Sequence, residues 1–332
     1  MDSILVLTVL IVIFAFGFDF INGFHDTANA IATAVSTKAL KPRHAIIMAA
    51  LMNFLGAISF TGVAETITES IVNPFTLANG QIVILSSLIS AIIWNLITWY
   101  FGIPSSSSHA IIGSIAGAAI ASSGFHVIEY RGFISIIEAL LLSPILAFTI
   151  GFTVYSIFKV AFQNFKLAKT NRHFRLIQIF TAALQSFSHG TNDAQKSMGI
   201  ITMALIANHY ITENHIPFWV QVGCAAAMGL GTSMGGWRII KTVGGNIMKI
   251  RPINGVAADL SSAFTIFGAT FIHLPVSTTH VISSSILGVG SAQRIKGVKW
   301  DTAKRMVITW VITLPITAVL SGAIYHIVSL FW

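Results

Sequence analysis

The sequence predicts an all-α integral membrane protein with about 10 transmembrane segments, some of them broken or re-entrant, in two inverted-topology repeats. One reason is composition: the 332 residues are 55% hydrophobic and only 9% charged, with a mean hydropathy of +0.80, whereas soluble domains contain about 25% charged residues. The second reason is a series of long apolar runs, and the third is an internal duplication. Together these features place the chain in a lipid bilayer.

The duplication consists of two short polar phrases that each occur twice. Gly23–Asn29 is echoed by Gly190–Lys196, and Pro104–His109 is echoed by Pro275–His280. The copies of the first phrase are 167 residues apart and those of the second phrase 171 residues apart. We therefore expect a first inverted repeat at 1–165 and a second at 166–332, within a single membrane domain.

Each spanning segment needs about 20 residues, because a helix of that length crosses about 30 Å of hydrocarbon. The first basic residue is Lys38, so the apolar stretch Ile4–Phe18 is predicted to be an uncleaved first helix and not a secretory signal. The segments after Pro104 and Pro275 are alternatively re-entrant hairpins, which leaves the number of full crossings open. The predicted spans are 4–37, 44–64, 82–101, 106–123, 134–158, 174–207, 216–234, 255–273, 277–291 and 306–331.

The distribution of Lys and Arg predicts the orientation of the repeats. Basic residues follow the first span and Glu65 and Glu69 lie in a later connection, whereas in the second repeat Glu213 precedes a basic connection. Five crossings per repeat produce this inversion and place both termini outside the cell. The net charge of +8 then reflects cytoplasmic loops and not nucleic-acid binding. The basic residues concerned are Lys38, Lys41, Arg43, Lys159, Lys166, Lys169, Arg172, Arg175, Arg238, Lys241, Lys249 and Arg251.

The first polar phrase follows one face of a predicted helix. Asn22, Asp26, Asn29 and Thr33 are spaced by four, three and four residues, so they line up along that face. In the second copy the spacing is continued by His189, Asp193 and Lys196 or Ser197. Gly23 and Gly190 precede each Asp by three residues, where we expect the helix either to unwind or to let another backbone approach closely.

Asp residues inside the membrane are candidates for function, because an ionised carboxylate is costly there unless it is paired or faces water. The alternative is that Asp26 and Asp193 only tie helices together, which their duplication makes less attractive. Lys196 either neutralises Asp193 or contacts a substrate. Asp259 is either a half-exposed residue near a helix start or a member of the site. The paired His and Asp residues also suit a divalent ion, which we expect to be part of the substrate and not a structural cofactor.

The second polar phrase places hydroxyl groups directly after a proline and before an apolar helix, which is typical of a helix N-cap. Free backbone N–H groups and the helix dipole favour an anion at such a position. Two such helix starts, one from each repeat, would surround a tetrahedral oxyanion; the alternative is that the hydroxyls only cap their own helices. His109 and His280 are expected to be structural donors. The hydroxyl residues are Ser106, Ser107, Ser108, Ser277, Thr278 and Thr279.

A duplicated polar site within apolar sequence is typical of transporters. An enzyme is disfavoured, because H-E-x-x-H is absent and the candidate pair Ser108 and His109 are sequence neighbours. An anion channel would share the helix-dipole site but would not need carboxylates, and its flux would run only downhill. Cys224 is the single cysteine, which excludes an intramolecular disulfide.

Four segments resemble the signature motifs of the PiT family of inorganic phosphate transporters: Gly23–Thr33, Pro104–Gly113, His189–Gly199 and Pro275–Gly288. The resemblance runs nearly end to end, through Gly231–Gly245. It implies a cation-coupled symporter for orthophosphate in a bacterial plasma membrane, built from inverted repeats that meet at a mid-membrane site. It also implies that Asp26, Asn29, Asp193 and both hydroxyl runs belong to that site.

Two departures from the family pattern affect the choice of coupling ion and substrate. His25 stands where many relatives have Asn, as Asn192 does in the second copy, and the long central soluble loop of some relatives is missing. His25 resembles the bacterial branch associated with proton coupling and with metal–phosphate complexes, which puts sodium dependence in question. The family also contains sulfate permeases, so membership alone leaves phosphate and sulfate both open.

The expected site therefore has two sets of residues. Carboxylates repel an anion unless a proton or cation binds first, which gives coupling a physical cause. We expect no resident cofactor or metal, only co-transported H⁺ or Na⁺, and the sequence leaves the oligomeric state open, a homodimer included. The phosphate-binding set is Asp26, Asn29, Ser106, Ser107, Ser108, Asn192, Asp193, Lys196, Ser277, Thr278 and Thr279, and the coupling set is Asn22, His25, Asp26, Asp193 and Asp259.

Overall fold

The computed structural model describes residues 3–72, 77, 79–165, 167–212, 215–234 and 236–332. These residues form twelve α-helices and short 3-10 helices at Phe125–Val127 and Ile295–Gly297, which confirms the all-α prediction. The α-helices are α1 (Ser3–Ser36), α2 (Pro42–Ala57), α3 (Gly62–Ser70), α4 (Gly80–Phe101), α5 (Ser107–Ser123), α6 (Tyr130–Ala161), α7 (Leu167–Ala207), α8 (Phe218–Met234), α9 (Trp237–Gly245), α10 (Pro252–Phe271), α11 (Thr278–Arg294) and α12 (Trp300–Val328).

Four helices are long and apolar enough to cross a membrane by length and composition: Ile4–Ser36, Gly80–Phe101, Tyr130–Ala161 and Trp300–Val328. The other predicted spans are also helical, but α2, α5, α8 and α11 contain only 16 or 17 residues and α7 includes the polar phrase. Large apolar side chains such as Leu142 and Val319 point outward from α6 and α12, as expected of helices that face lipid. The number of full crossings stays a prediction.

Segment 44–64 forms two helices and not the single predicted span. The backbone N–H groups of Ile58 and Ser59 bond to the carbonyls of Phe54 and Gly56, which closes α2 at its last turn. The chain then turns and begins α3 at Gly62. The apolar composition of 44–64 gave no signal for this break, because the closing residues are ordinary helix formers or small polar residues.

Helices α1 and α7 run without interruption through their polar phrases. Local unwinding at Gly23 and Gly190 was therefore the wrong alternative, and close backbone approach is what the structure shows. A Cβ atom at Gly23 would overlap the Met228 carbonyl of α8, and one at Gly190 would overlap the Asn53 carbonyl of α2. Only glycine permits helices to cross at this separation.

Helices of each half of the chain pack on helices of the other half, and the pairs correspond between the halves. Helix α1 packs on α8 and α7 packs on α2, while α5 packs on α12 and α11 packs on α6. The glycine contacts are also reciprocal, since Gly231 of α8 lies on the Phe20 carbonyl of α1 and Gly56 of α2 lies on the Phe187 carbonyl of α7. This packing brings the middle of α1 against α7 and directs the starts of α5 and α11 toward the same place.

The chain termini lie at one end of the molecule. Ile4, Asn79, Asn208 and Trp332 line one cavity, so the start of α1, the start of α4, the end of α7 and the C-terminus are neighbours. The end of α4 meets the basic segment around α9, where Arg238 donates to the Tyr100 carbonyl. Which end faces the cytoplasm stays a prediction. Of the charged residues used for it, Lys166, Glu213 and the side chains of Glu69 and Lys169 lie outside the described residues.

Candidate functional site

Asp26 of α1 and Asp193 of α7 lie together in the interior of the protein. Both side chains are fully buried, and together with His189 they offer ligand atoms that lie within 4.8 Å of one another. The two residues are far apart in sequence and meet because α1 packs along α7 at the polar phrases. We call Asp26 and Asp193 the carboxylate pair.

Asp26 is held by uncharged donors and one histidine. Its Oδ1 accepts hydrogen bonds from Asn29 Nδ2 at 3.1 Å and Thr279 Oγ1 at 2.8 Å, and its Oδ2 accepts from Ser107 Oγ at 3.0 Å. The Nδ1 atom of His25 lies 2.9 Å from Oδ1. Thus the starts of α5 and α11 both contact this carboxylate, and His25 alone among these neighbours is able to carry a compensating charge.

Asp193 is paired with a lysine. Lys196, one turn further along α7 and itself fully buried, forms an ion pair with Oδ1. On the other oxygen, Asn22 Nδ2 donates at 3.3 Å and Thr278 Oγ1 donates at 3.0 Å, while His189 Nε2 lies 3.1 Å away. Charge pairing and hydrogen bonds of this kind are what a buried carboxylate requires.

The starts of α5 and α11 contact each other as well as the carboxylate pair. Ser106 and Ser277 are the N-cap residues, and their hydroxyls accept from the backbone N–H groups of His109 at 3.1 Å and His280 at 3.3 Å. Ser108 donates to the Val276 carbonyl at 2.8 Å, which joins the two starts. The capping interpretation is confirmed for Ser106 and Ser277, while Ser107, Thr278 and Thr279 reach the carboxylates. Binding of an anion by these hydroxyls stays a prediction. The positive ends of both helix dipoles lie at this place.

The hydrogen bonds that the described residues give to Asn192 go to the segment before α11 and not to the carboxylate pair. Asn192 donates to Thr270 Oγ1 and to the Leu274 carbonyl, each at 3.2 Å, and accepts from the Val276 backbone N–H at 3.2 Å. These bonds fix the segment that leads into α11. Its counterpart His25 makes a similar contact across to α4, with Nε2 lying 3.1 Å from Thr98 Oγ1.

Asp259 is buried and lies apart from the carboxylate pair. The expectation of a half-exposed residue near a helix start was wrong, because Thr33 of α1 and Thr181 of α7 cover the carboxylate and donate to it at 2.6 and 3.1 Å. Thr33 is seven residues beyond Asp26, or about 10 Å along the helix. Asp259 therefore contacts the last residue of the polar face of α1 that Asn22, Asp26, Asn29 and Thr33 form.

His109 and His280 face each other beneath an apolar cavity. Their ring centroids are 4.5 Å apart, and His280 stacks on Trp310 at 4.0 Å. The cavity has a volume of about 710 Å³ and lies between α6 and α12, beside Pro144 and Pro315. Its walls are almost entirely apolar, so it does not suit an anion.

Three groups of polar contacts in the interior escaped prediction from the sequence. Asp19 accepts from Ser197 Oγ at 2.6 Å. Asn53 of α2 donates to Thr232 of α8 at 3.0 Å, and Thr98 of α4 contacts His25. Asp19 precedes Asp26 by seven residues, so the same helical spacing would have found it. The others are isolated polar residues in apolar runs, and the sequence carries no signal for their partners.

The chain contains one G-x-S-x-G pattern, at 231–235, which is found in hydrolases with a nucleophilic serine. Ser233 is exposed near the end of α8 and its hydroxyl donates to the Leu230 carbonyl in the same helix. A nucleophile elbow requires a turn between a strand and a helix. The pattern therefore does not indicate a hydrolase here.

Comparison with known proteins gives the family. The sequence profile of the phosphate transporter family matches residues 22–321. A probable low-affinity inorganic phosphate transporter of Bacillus subtilis (strain 168) is 71% identical over all of both chains, and one of Rhizobium meliloti (strain 1021) is 42% identical over 99% of both. A solved structure described as the sodium-dependent phosphate transporter has a TM-score of 0.89 at 26% identity, covering 98% of this chain and 100% of that chain. These names confirm the resemblance drawn from the motifs and the expectation that the chain is not an enzyme. The chain belongs to the phosphate transporter family.

Proposed function

We propose that this protein is a secondary active symporter that imports inorganic phosphate together with H⁺ or Na⁺. One observation carries the proposal: Thr278 and Thr279, successive residues at the start of α11, donate to Asp193 and Asp26 respectively. A helix start that favours an anion is thus in contact with both carboxylates. Phosphate and the coupling cation are expected to bind at this shared position.

The charges at the site explain why transport is coupled. With both carboxylates ionised and the histidines neutral, Asp26, Asp193 and the Lys196 ammonium would together carry one excess negative charge, and at this depth water does not screen it. Phosphate is repelled until a proton or Na⁺ binds to the carboxylate pair. The hydroxyls of Ser107, Thr278 and Thr279 then turn from the carboxylates to the phosphate oxygens.

A divalent ion bound to phosphate would enter the same place as cargo. Asp26, His189 and Asp193 place one nitrogen and two oxygen ligands close enough to share an ion. Such a ligand set suits a transition metal better than Mg²⁺, because Mg²⁺ prefers oxygen ligands to the imidazole nitrogen. We therefore include a metal–phosphate complex among the substrates.

The reciprocal packing of the two halves supports a model of alternating access. We propose that 1–165 and 166–332 are inverted repeats, that both termini are extracellular, and that the helix pairs α5 with α12 and α11 with α6 rock against α1 and α7. The carboxylate pair lies between these groups. Rocking of one group against another around a fixed site exposes that site to each side of the membrane in turn.

The test is uptake of labelled phosphate into proteoliposomes under an imposed proton or sodium gradient. We expect accumulation above the external concentration, with Asp26→Asn and Asp193→Asn losing it and the exposed Ser233→Ala serving as the matched control. Accumulation by both Asn variants would contradict the assignment of coupling. Purely downhill flux by the wild type would indicate a channel, and stronger competition by sulfate than by arsenate would indicate a sulfate permease.

A further inference from the structure

Asp19 is a second buried acid on α1 that the carboxylate pair does not include. Its side chain is fully buried, two helical turns before Asp26. Oδ1 accepts the hydrogen bond from Ser197 of α7, whereas Oδ2 has no hydrogen-bond partner among the described residues. The thiol of Cys224 on α8 is also within hydrogen-bonding reach of the carboxyl group.

No cation pairs with Asp19 in the described part of the chain. The charged groups that act on it from the helices packed around α1 are Asp193 and Lys196 of α7, and Lys196 forms its ion pair with Asp193. Asp193 repels a second negative charge. Without a counterion, an ionised carboxylate at full burial is much less stable than the neutral acid.

We propose that Asp19 is a second proton-binding site of this transporter, in addition to the carboxylate pair, and carries one coupled proton as a carboxylic acid. This inference rests on the proposed symport function. The proton is taken from water on one side of the membrane, forms an O–H bond at Oδ2, and is released to water on the other side. No other bond is made or broken.

The surroundings of Asp19 suit a proton better than Na⁺. A sodium ion needs several oxygen ligands, as other hard cations do. Around this carboxyl the structure offers the hydroxyl of Ser197 and the soft sulfur of Cys224. A proton needs only the one unpartnered oxygen.

The position of Asp19 connects its charge to the substrate site. Asp193 and Lys196 lie within about one helical turn of Ser197, whose hydroxyl donates to Asp19. Protonation of Asp19 removes a negative charge that acts on both residues, and so makes the site more favourable for an anion. The residue 167 positions later is Ser186, so the second half has no equivalent acid. One proton site of this kind is therefore expected per protein.

The experiment compares Asp19→Asn and Asp19→Glu with the wild type in two assays. We expect Asp19→Asn to lose proton-driven phosphate accumulation about tenfold or more, while exchange of phosphate between equal internal and external pools stays within about twofold and becomes insensitive to pH. Asp19→Glu is expected to restore accumulation. The intact exchange shows that the Asn variant is folded.

Accumulation by Asp19→Asn with the wild-type pH profile would overturn the inference, as would loss of exchange in both variants. If the wild type itself does not move phosphate, the proposed function fails separately. The proton site is then tested by infrared spectroscopy of the full-length protein. A C=O band of a buried protonated carboxyl that disappears in Asp19→Asn supports the inference, and an unchanged band contradicts it.

Discussion

The two acidic centres occupy equivalent positions in the two halves but are neutralised differently. Asp193 has a buried lysine one turn away, whereas Asp26 has an asparagine at the matching position. The histidine neighbours also stand at different positions: His25 precedes Asp26 by one residue, whereas His189 precedes Asp193 by four. At the 167-residue offset, the matched pairs are Asn22 with His189, His25 with Asn192, and Asn29 with Lys196.

This difference indicates that a symmetric scaffold holds an asymmetric site. Asp193 has its compensating charge built in, so we assign it to positioning and to phosphate binding. No lysine or arginine pairs with Asp26 among the described residues, so a positive charge beside it has to come from His25, His189, a proton or a metal ion. We therefore expect Asp26 to be the member of the carboxylate pair whose state changes during transport.

The largest effect is expected from removing the built-in cation. Lys196→Met leaves Asp193 buried and unpaired, which should lower the free energy of unfolding by about 3 to 5 kcal/mol. The matched change Asn29→Ala in the first half removes an uncharged donor and its hydrogen bonds to Asp26 and Thr279, and should cost about 1 to 3 kcal/mol. Thermal unfolding in detergent measures both.

The double variant Asp193→Asn with Lys196→Met is the control for this comparison. It removes both charges together, so most of the lost stability should return. If Lys196→Met unfolds at the same temperature as the wild type, the ion pair does not distinguish the two halves.

The reciprocal glycine contacts should respond equally in both halves. A methyl group at Gly56 or Gly231 overlaps a backbone carbonyl of α7 or α1, and we expect each Ala variant to lose about 1 to 3 kcal/mol of stability. Gly268→Ala is the control, since nothing lies within 4 Å of a Cβ atom there. If only one of the two Ala variants loses stability, the pairs α2 with α7 and α8 with α1 are not equivalent.

Replacing His25 by asparagine, the residue type at the matching position 192, tests whether Asp26 is the member of the carboxylate pair whose state changes during transport. His25→Asn removes the titratable neighbour of Asp26 but retains a polar side chain, so proton-driven accumulation should fall about tenfold, the value of one charge-assisted contact. Sodium-driven uptake, measured in the same proteoliposomes, should change less. Equal loss under both gradients would indicate a structural role for His25.

The smallest effect is expected at the helix caps. Ser106→Ala and Ser277→Ala each remove one cap hydrogen bond and should lower stability by about 1 kcal/mol. The loss should be somewhat larger for Ser106→Ala, because the Ser106 hydroxyl also lies 2.9 Å from Nδ1 of the His109 ring. Thermal unfolding of both variants beside Ser233→Ala checks this.

The local parts of the site were predictable from the sequence because helical spacing and cap chemistry act over short distances. The polar face of α1, the hydroxyl caps and the duplication follow from residue order alone. The partners across helices were not predictable: nothing in the sequence indicated that Asn192 bonds to the segment before α11 or that Thr33 and Thr181 cover Asp259. The assignments of Asn192 to phosphate and of Asp259 to coupling stay predictions. These outcomes depend on which helices pack together, and no local pattern records that.

The most direct test of the shared site is a structure of the protein determined with phosphate bound. We expect density for a tetrahedral anion at the starts of α5 and α11, within hydrogen-bond distance of Ser107, Thr278 and Thr279 and beside the carboxylate pair. Density for phosphate elsewhere in the protein, with the hydroxyls still bonded to Asp26 and Asp193, would contradict the proposal.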